Sequence, residues 1–212
     1  MQAEDEVDER KPSAPAKVRT PTELEKQDHY NSGHARYRNW CPHCVAAKGQ
    51  GQPHKTSVDN PGELPELGFD YFYLGDRQST GLPNIAAKDN VTGCFAGSTV
   101  ENKGRNTYAK AYLVGWIRGL GYKRVVIRSD NEPAILSLLK DAVAELIDIE
   151  CVMKSSPEGD HQQNGLAEVA VREVKGQARV LKSELEANYG KRMGADAPIL
   201  AWLARHAANV MC

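Results

Sequence analysis

The 212-residue chain has almost no net charge, -1 at neutral pH, so no overall field draws it to nucleic acid or to a membrane, although local charge still can. It has no apolar run of membrane-spanning length, and its start is acidic where a secretory signal would be basic and then apolar. Cysteine is sparse and odd in number, at Cys41, Cys44, Cys94, Cys151 and Cys212. Without a signal sequence, that odd set argues against a disulfide framework. Cys94 and Cys151 lie in strand-like apolar runs, where free cysteine serves as a small buried hydrophobe. Acidic residues are missing altogether from His29 to Val58, a stretch that does hold Arg36, Arg38, Lys48 and Lys55. Together these absences describe a soluble intracellular protein.

What is present organises into four parts. Residues 1–22 are rich in charge and proline and poor in aromatics, and read as a disordered leader. Residues 23–48 form a short segment rich in histidine and cysteine, and residues 49–65 are a linker by their Gly, Pro and polar content. Residues 66–212 hold the patterned part, in a chain whose 41% apolar content suffices for a core. Strands are predicted over 67–74, in two runs within 84–101 joined at a turn near Asp89, and over 124–130 and 149–156. Helices are predicted over 106–121, 132–147, about 164–187 and 197–210. Strands first, then strand–helix alternation, imply an α/β fold with a mixed sheet flanked by helices. The final helix runs to Cys212 without a polar cap or glycine stop, which reads as a chain cut from a longer product.

Three carboxylates stand out. Asp70 interrupts an apolar strand, LGFDYFYL, sharing a face with Gly68, Phe72 and Leu74 while Leu67, Phe69, Tyr71 and Tyr73 face away. A buried carboxylate needs a cation, a hydrogen-bonding partner or a metal. Asp130 ends the strand RVVIRSD and precedes a helix, a place that suits either an N-cap or a site residue at a strand's carboxyl end. Glu168 projects from the first turn of the long helix after the polar run QQNG. Two aspartates on neighbouring strands and a helix glutamate can converge on Mg²⁺, which favours a few carboxylates plus water and phosphate oxygens. Asp76 and Asp89 are rival acids, both read as loop or turn residues. Along the same long helix Arg172, Lys175, Arg179 and Lys182 share one face with Glu168, and Leu166, Ala170, Val174, Ala178, Leu181 and Leu185 form an apolar stripe. A basic stripe is either a solvated face or a track for nucleic-acid phosphates.

The upstream segment HYNSGHARYRNWCPHC offers His29, His34, Cys41 and Cys44 as H-x4-H followed by C-x2-C. Two imidazoles and two thiolates suit tetrahedral Zn²⁺, and a segment this short needs metal to fold. The alternative is a redox pair. His43 and His54 are substitute ligands, His43 being better read as a bystander inside the chelate loop.

FDYFYL around Asp70, IRSDNEPA around Asp130 and QQNGLAE ending at Glu168 resemble the catalytic core of retroviral and retrotransposon integrases. The last run is similar to that of copia-type elements. The resemblance covers residues 66–212, with residues 23–48 in the place of the family's His-His-Cys-Cys zinc segment. It implies a ribonuclease-H-like fold, an acidic triad Asp70, Asp130 and Glu168 holding Mg²⁺ or Mn²⁺, and Zn²⁺ on His29, His34, Cys41 and Cys44. It further implies DNA as partner, contacted through Asn164, Arg172, Lys175 and Arg179, a homo-oligomer, and work in the nucleus. The implied chemistry is processing of element ends and their joining to target DNA. Two departures are the widened spacing between Asp130 and Glu168, in SPEGDH, and the short spacer ARYRNW between His34 and Cys41. A different ribonuclease-H-like nuclease or transposase, and an inactive nucleic-acid-binding remnant, are the other readings.

Overall fold

The structure, a computed structural model, describes residues 19–48, 64–74, 81–155, 165–194 and 197–212. Asp76, His54, Asn164 and the run HQQN before Gly165 lie outside the described residues. The elements follow in the order α1 (Glu23–Asn31), α2 (Pro42–Lys48), β1 (Glu66–Phe72), β2 (Asn84–Asp89), β3 (Phe95–Thr99), α3 (Thr107–Gly119), β4 (Arg124–Ser129), α4 (Pro133–Glu145), β5 (Glu150–Ser155), α5 (Gly165–Tyr189) and α6 (Ile199–Val210).

The strands form one sheet in the order β3-β2-β1-β4-β5. β1, β2 and β3 pair antiparallel as a meander, while β4 and β5 run parallel to β1. This is the ribonuclease-H-like mixed sheet, with helices on both faces. The alternation read from β1 holds: Leu67, Phe69 and Tyr71 face a core built with α3 and α4. Phe72 and Leu74 face a second core built with α5 and α6. The apolar stripe of α5 lies on that second face through Ala170, Val174, Ala178, Leu181 and Leu185. Among the described residues, no helix is long and apolar enough to cross a membrane.

Local chemistry sets several boundaries. Asn106 caps α3 by accepting the Ala109 N–H at 2.9 Å. Asp89 closes the β2–β3 turn by accepting the backbone N–H groups of Val91 at 3.1 Å and Thr92 at 3.0 Å, and the Tyr122 hydroxyl at 2.7 Å. Its turn role is therefore structural. Thr22, placed at the end of the expected leader, is the N-cap of α1 in a capping box with Glu25.

Two cysteines differ from expectation. Cys94 sits in the turn before β3, outside any strand, and forms a disulfide with Cys212, with Cα atoms 4.5 Å apart. The pairing joins residues 118 apart in sequence, after α6 has packed along β3, so no local pattern announces it. Cys151 is a free, partly buried thiol in β5, as a small packing residue would be.

Two glycines let helices approach the sheet. A Cβ on Gly68 of β1 would lie 2.7 Å from the Ala167 backbone nitrogen, and one on Gly97 of β3 would lie 2.7 Å from the Ala204 carbonyl oxygen. Gly97→Ala is expected to destabilise the protein by about 1–3 kcal/mol, because backbone atoms must move. Gly115→Ala in α3, where nothing lies within 4 Å of the added methyl, is expected to stabilise by about 0.5–1 kcal/mol. Denaturant midpoints of the two variants check both signs.

Candidate metal centres

β1 and β4 lie side by side and parallel, with Phe69 opposite Ser129 as their last pair. The next residues along the two strands are Asp70 and Asp130, which brings both aspartates to the same end of the sheet. The strand order turns there, with β2 on one side of β1 and β4 on the other, where open α/β sheets gather ligands. Carboxylate oxygens of Asp70, Asp130 and Glu132 lie within 4.8 Å of one another.

Each acid is held differently. Asp70 accepts the Tyr71 backbone N–H at 2.6 Å. Asp130 accepts the Glu132 N–H at 3.2 Å, bracing the approach to α4 from a position before the N-cap, which is Glu132 itself. Glu132 receives Lys103 Nζ at 2.9 and 3.0 Å on its two oxygens. Lys103 in turn lies 5.3 Å above the Tyr71 ring and 5.8 Å from that of Tyr73. Burial, followed by the nearby Asp130 charge, pushes Asp70 up to about 6. A proton or a cation at Asp70 relieves that cost.

Glu168 lies on the exposed side of the first turn of α5. That turn rests on β1, with Ala167 against Gly68, two residues before Asp70 on the same face of the strand. Its carboxylate is not one of the three that converge within 4.8 Å. Sequence reasoning missed Glu132, although its position two residues after Asp130 was a local signal. What the sequence could not display was the fold of the Lys103 loop over it.

The second cluster brings His29, His34, Cys41 and Cys44 within 4.8 Å of one another, all buried. His29 lies in the last turn of α1 and Cys44 in α2, with Cys41 just before it. The facing atoms are His29 Nε2, His34 Nδ1 and the two Sγ atoms. His29 Nε2 and His34 Nδ1 are 2.8 Å apart. Cys41 Sγ lies 3.4 Å from His34 Nδ1, and Cys44 Sγ lies 3.4 Å from His29 Nε2 and 3.8 Å from His34 Nδ1. A tetrahedral ion bonded at about 2.0 Å to nitrogen and about 2.3 Å to sulfur spaces its donors by roughly 3.3–3.8 Å. The three sulfur–nitrogen distances match that spacing, while the two histidine nitrogens, at 2.8 Å, sit closer and would have to part on binding. Burial lowers His29 and His34 to about 4 and raises the Cys44 thiol to about 11. His34 takes the left-handed backbone, φ 57°, directly after Gly33 at φ 60°. His43 points away and meets Ser183 Oγ at 2.8 Å, as a bystander to the donor set.

This segment packs on α5. Val180 shares a cluster with Cys41 and Cys44, and Lys48 lies along Gly176 and reaches Gln177. On the remaining side of α5, Arg172 is exposed with Glu173 at 3.4 Å, and Lys182 meets Glu186 at 3.6 Å. Arg179 is also exposed and Lys175 half-buried, each with a partner.

No family model matches the sequence, and no curated protein matches it. Among solved structures, the chain is similar to one from the simian T-cell lymphotropic virus intasome in complex with the PP2A regulatory subunit B56 gamma. The identity is 16% over 71% of this chain and 48% of that one, with a TM-score of 0.42. It is also similar to the catalytic core domain of BIV integrase, at 16% identity over 68% of this chain and 80% of that one, with a TM-score of 0.40. This chain spans about half the length of the first of these, at 48%. At such values the likeness assigns neither activity nor ligand, and the fold rests on the strand order and register.

Asp70 gives a pH signature in buffer without added Mg²⁺ or Mn²⁺. Its folded value of about 6 exceeds the ordinary 3.8, so the folded state binds the proton more tightly than the unfolded chain. Stability is therefore lost as pH rises from about 4 to about 6. Asp70→Asn keeps an acceptor for the Tyr71 N–H and removes the charge. It is expected to be more stable than the unaltered protein at pH 7, with the difference vanishing near pH 4, as read from paired denaturation curves.

Proposed function

We propose that this chain is the metal-dependent catalytic part of a polynucleotidyl transferase of retrotransposon integrase type. Its substrates would be element ends and target DNA. The observation that supports this best is the juxtaposition of Asp70 and Asp130 at adjacent parallel strand ends of a ribonuclease-H-like sheet. Two half-buried carboxylates with their oxygens this close suit Mg²⁺ or Mn²⁺. Asp70 and Asp130 would hold the ion from the sheet, and Glu168 would complete the triad from α5. When bound, such ions lower the cost of generating a nucleophile from water or a 3′-hydroxyl and stabilise the leaving oxygen.

The residues of this chain supply position. The sheet fixes the two aspartates, and α5 carries Glu168 at the end nearest them. The same helix runs on with Arg172, Lys175 and Arg179, which would bind the DNA backbone, with Asn164 just ahead of it. Lys103 neutralises Glu132. Zn²⁺ fits the buried, closely spaced donors His29 Nε2, His34 Nδ1, Cys41 Sγ and Cys44 Sγ, and would tie residues 23–48 into a folded unit. The copia subtype rests on QQNGLAE alone. Assembly as a homo-oligomer and work in the nucleus follow from the same reading.

A strand-transfer assay with Mn²⁺ tests the proposal. Asp70→Asn, Asp130→Asn and Glu168→Gln are each expected to lower the rate by at least about a hundredfold, while Glu132→Gln changes it little. Loss of activity in Glu132→Gln with Glu168→Gln unaffected would move the third ligand to Glu132. An inactive protein that still binds DNA would favour the remnant reading.

A further inference from the structure

Glu184 belongs to no motif of the sequence, lies far along α5 from the acidic cluster, and meets the other centre. His34 is fully buried, and its Nδ1 faces His29, Cys41 and Cys44. Its second ring nitrogen, Nε2, lies 3.0 Å from Glu184 Oε2. An imidazole that offers the Nδ1 lone pair to a metal carries its proton on Nε2, and here that N–H has a carboxylate to donate to. The carboxylate comes from a helix 150 positions away in sequence.

Three more contacts join the same surfaces. Val180 packs against Cys41 and Cys44. Ser183 Oγ meets His43 Nδ1 at 2.8 Å. Gln177 Nε2 donates to the carbonyl of Gly33, the residue before His34. Gln177, Val180, Ser183 and Glu184 fall on one side of α5, so the helix presents a continuous strip to the segment. The strip supports the left-handed backbone at Gly33 and His34 that aims the ring.

We infer that the zinc centre is shared between the segment and the sheet domain. Glu184 is its positioning residue, and metal loading and docking of residues 23–48 on α5 are one event. This rests on the zinc reading of the four donors. A segment that carried its complete site would bind metal and fold independently of the domain. This one takes from α5 the group that orients one ligand.

The test uses the full chain. Zinc affinity is measured by competition with a chromophoric chelator, the cobalt-substituted protein gives a ligand-field spectrum, and hydrogen exchange is followed over residues 177–185 with and without zinc. Glu184→Ala is expected to weaken zinc binding by about 10- to 100-fold and to shift the cobalt spectrum. The near-isosteric Glu184→Gln, which keeps an acceptor for the Nε2 proton, is expected to recover part of the affinity and to guard against misfolding as the cause. In the unaltered protein, zinc is expected to slow exchange over 177–185. Unchanged zinc affinity and cobalt spectrum in Glu184→Ala, or exchange over 177–185 indifferent to zinc, would overturn the inference. A separate outcome, no stoichiometric zinc in the unaltered protein and no effect of Cys41→Ser, would overturn the zinc reading itself and this inference with it.

Discussion

The close approach of α5 to β1 at Gly68 is the constraint on which both candidate centres depend. A side chain there would put its Cβ 2.7 Å from the backbone nitrogen of Ala167 and 3.0 Å from Leu166. Only glycine lets the helix begin directly on the strand that carries Asp70. With that contact in place, Glu168 is delivered to the same face of the sheet as Asp70, and the remaining turns of α5 are laid across the second core. Gly97 plays the same part for α6, where Ala204, Ala208 and Val174 close over β3. Small residues at these crossings, as much as the large apolar ones, set the depth at which the helices sit.

From that starting point α5 carries three separate loads. At about 100° per residue, its apolar stripe, its basic residues and its strip toward residues 23–48 lie roughly 120° apart around the helix. Ala170, Val174 and Ala178 face the sheet. Gln177, Val180 and Glu184 face the histidine–cysteine segment, and Glu168, Arg172 and Arg179 face outward. A single helix thereby links the acidic cluster to the histidine–cysteine cluster. Any change that rotates or frays it reaches both.

Much of this was legible in the sequence because the signals were periodic or closely spaced. The two faces of β1 follow from strict alternation around Asp70, and the stripe of α5 from its helical spacing. The H-x4-H and C-x2-C spacings brought four donors together, since local spacing is all that a chelating loop requires. The start of α1 went unread: Thr22 and Glu25 form a capping box, but Thr22 was counted with the Pro- and charge-rich leader. What stayed hidden was made by tertiary contact. Glu132 joins the aspartates where the Lys103 loop folds over it, Glu184 reaches His34 only after the segment docks, and Cys94 meets Cys212 only after α6 lies along β3. None of these pairings has a sequence period.

Electrostatics gives the acidic cluster its direction. Asp70 is half-buried beside Asp130, its carboxyl lifted to about 6, while Lys103 spends its hydrogen bonds on Glu132. A divalent cation is the simplest group that relieves such a pair. Titration calorimetry with Mn²⁺ tests this most directly, with Zn²⁺ already loaded to keep the other cluster out of the measurement. The account predicts saturable Mn²⁺ binding that is abolished by Asp70→Asn and weakened by Glu168→Gln. Absence of Mn²⁺ binding, or binding indifferent to Asp70→Asn, would contradict it.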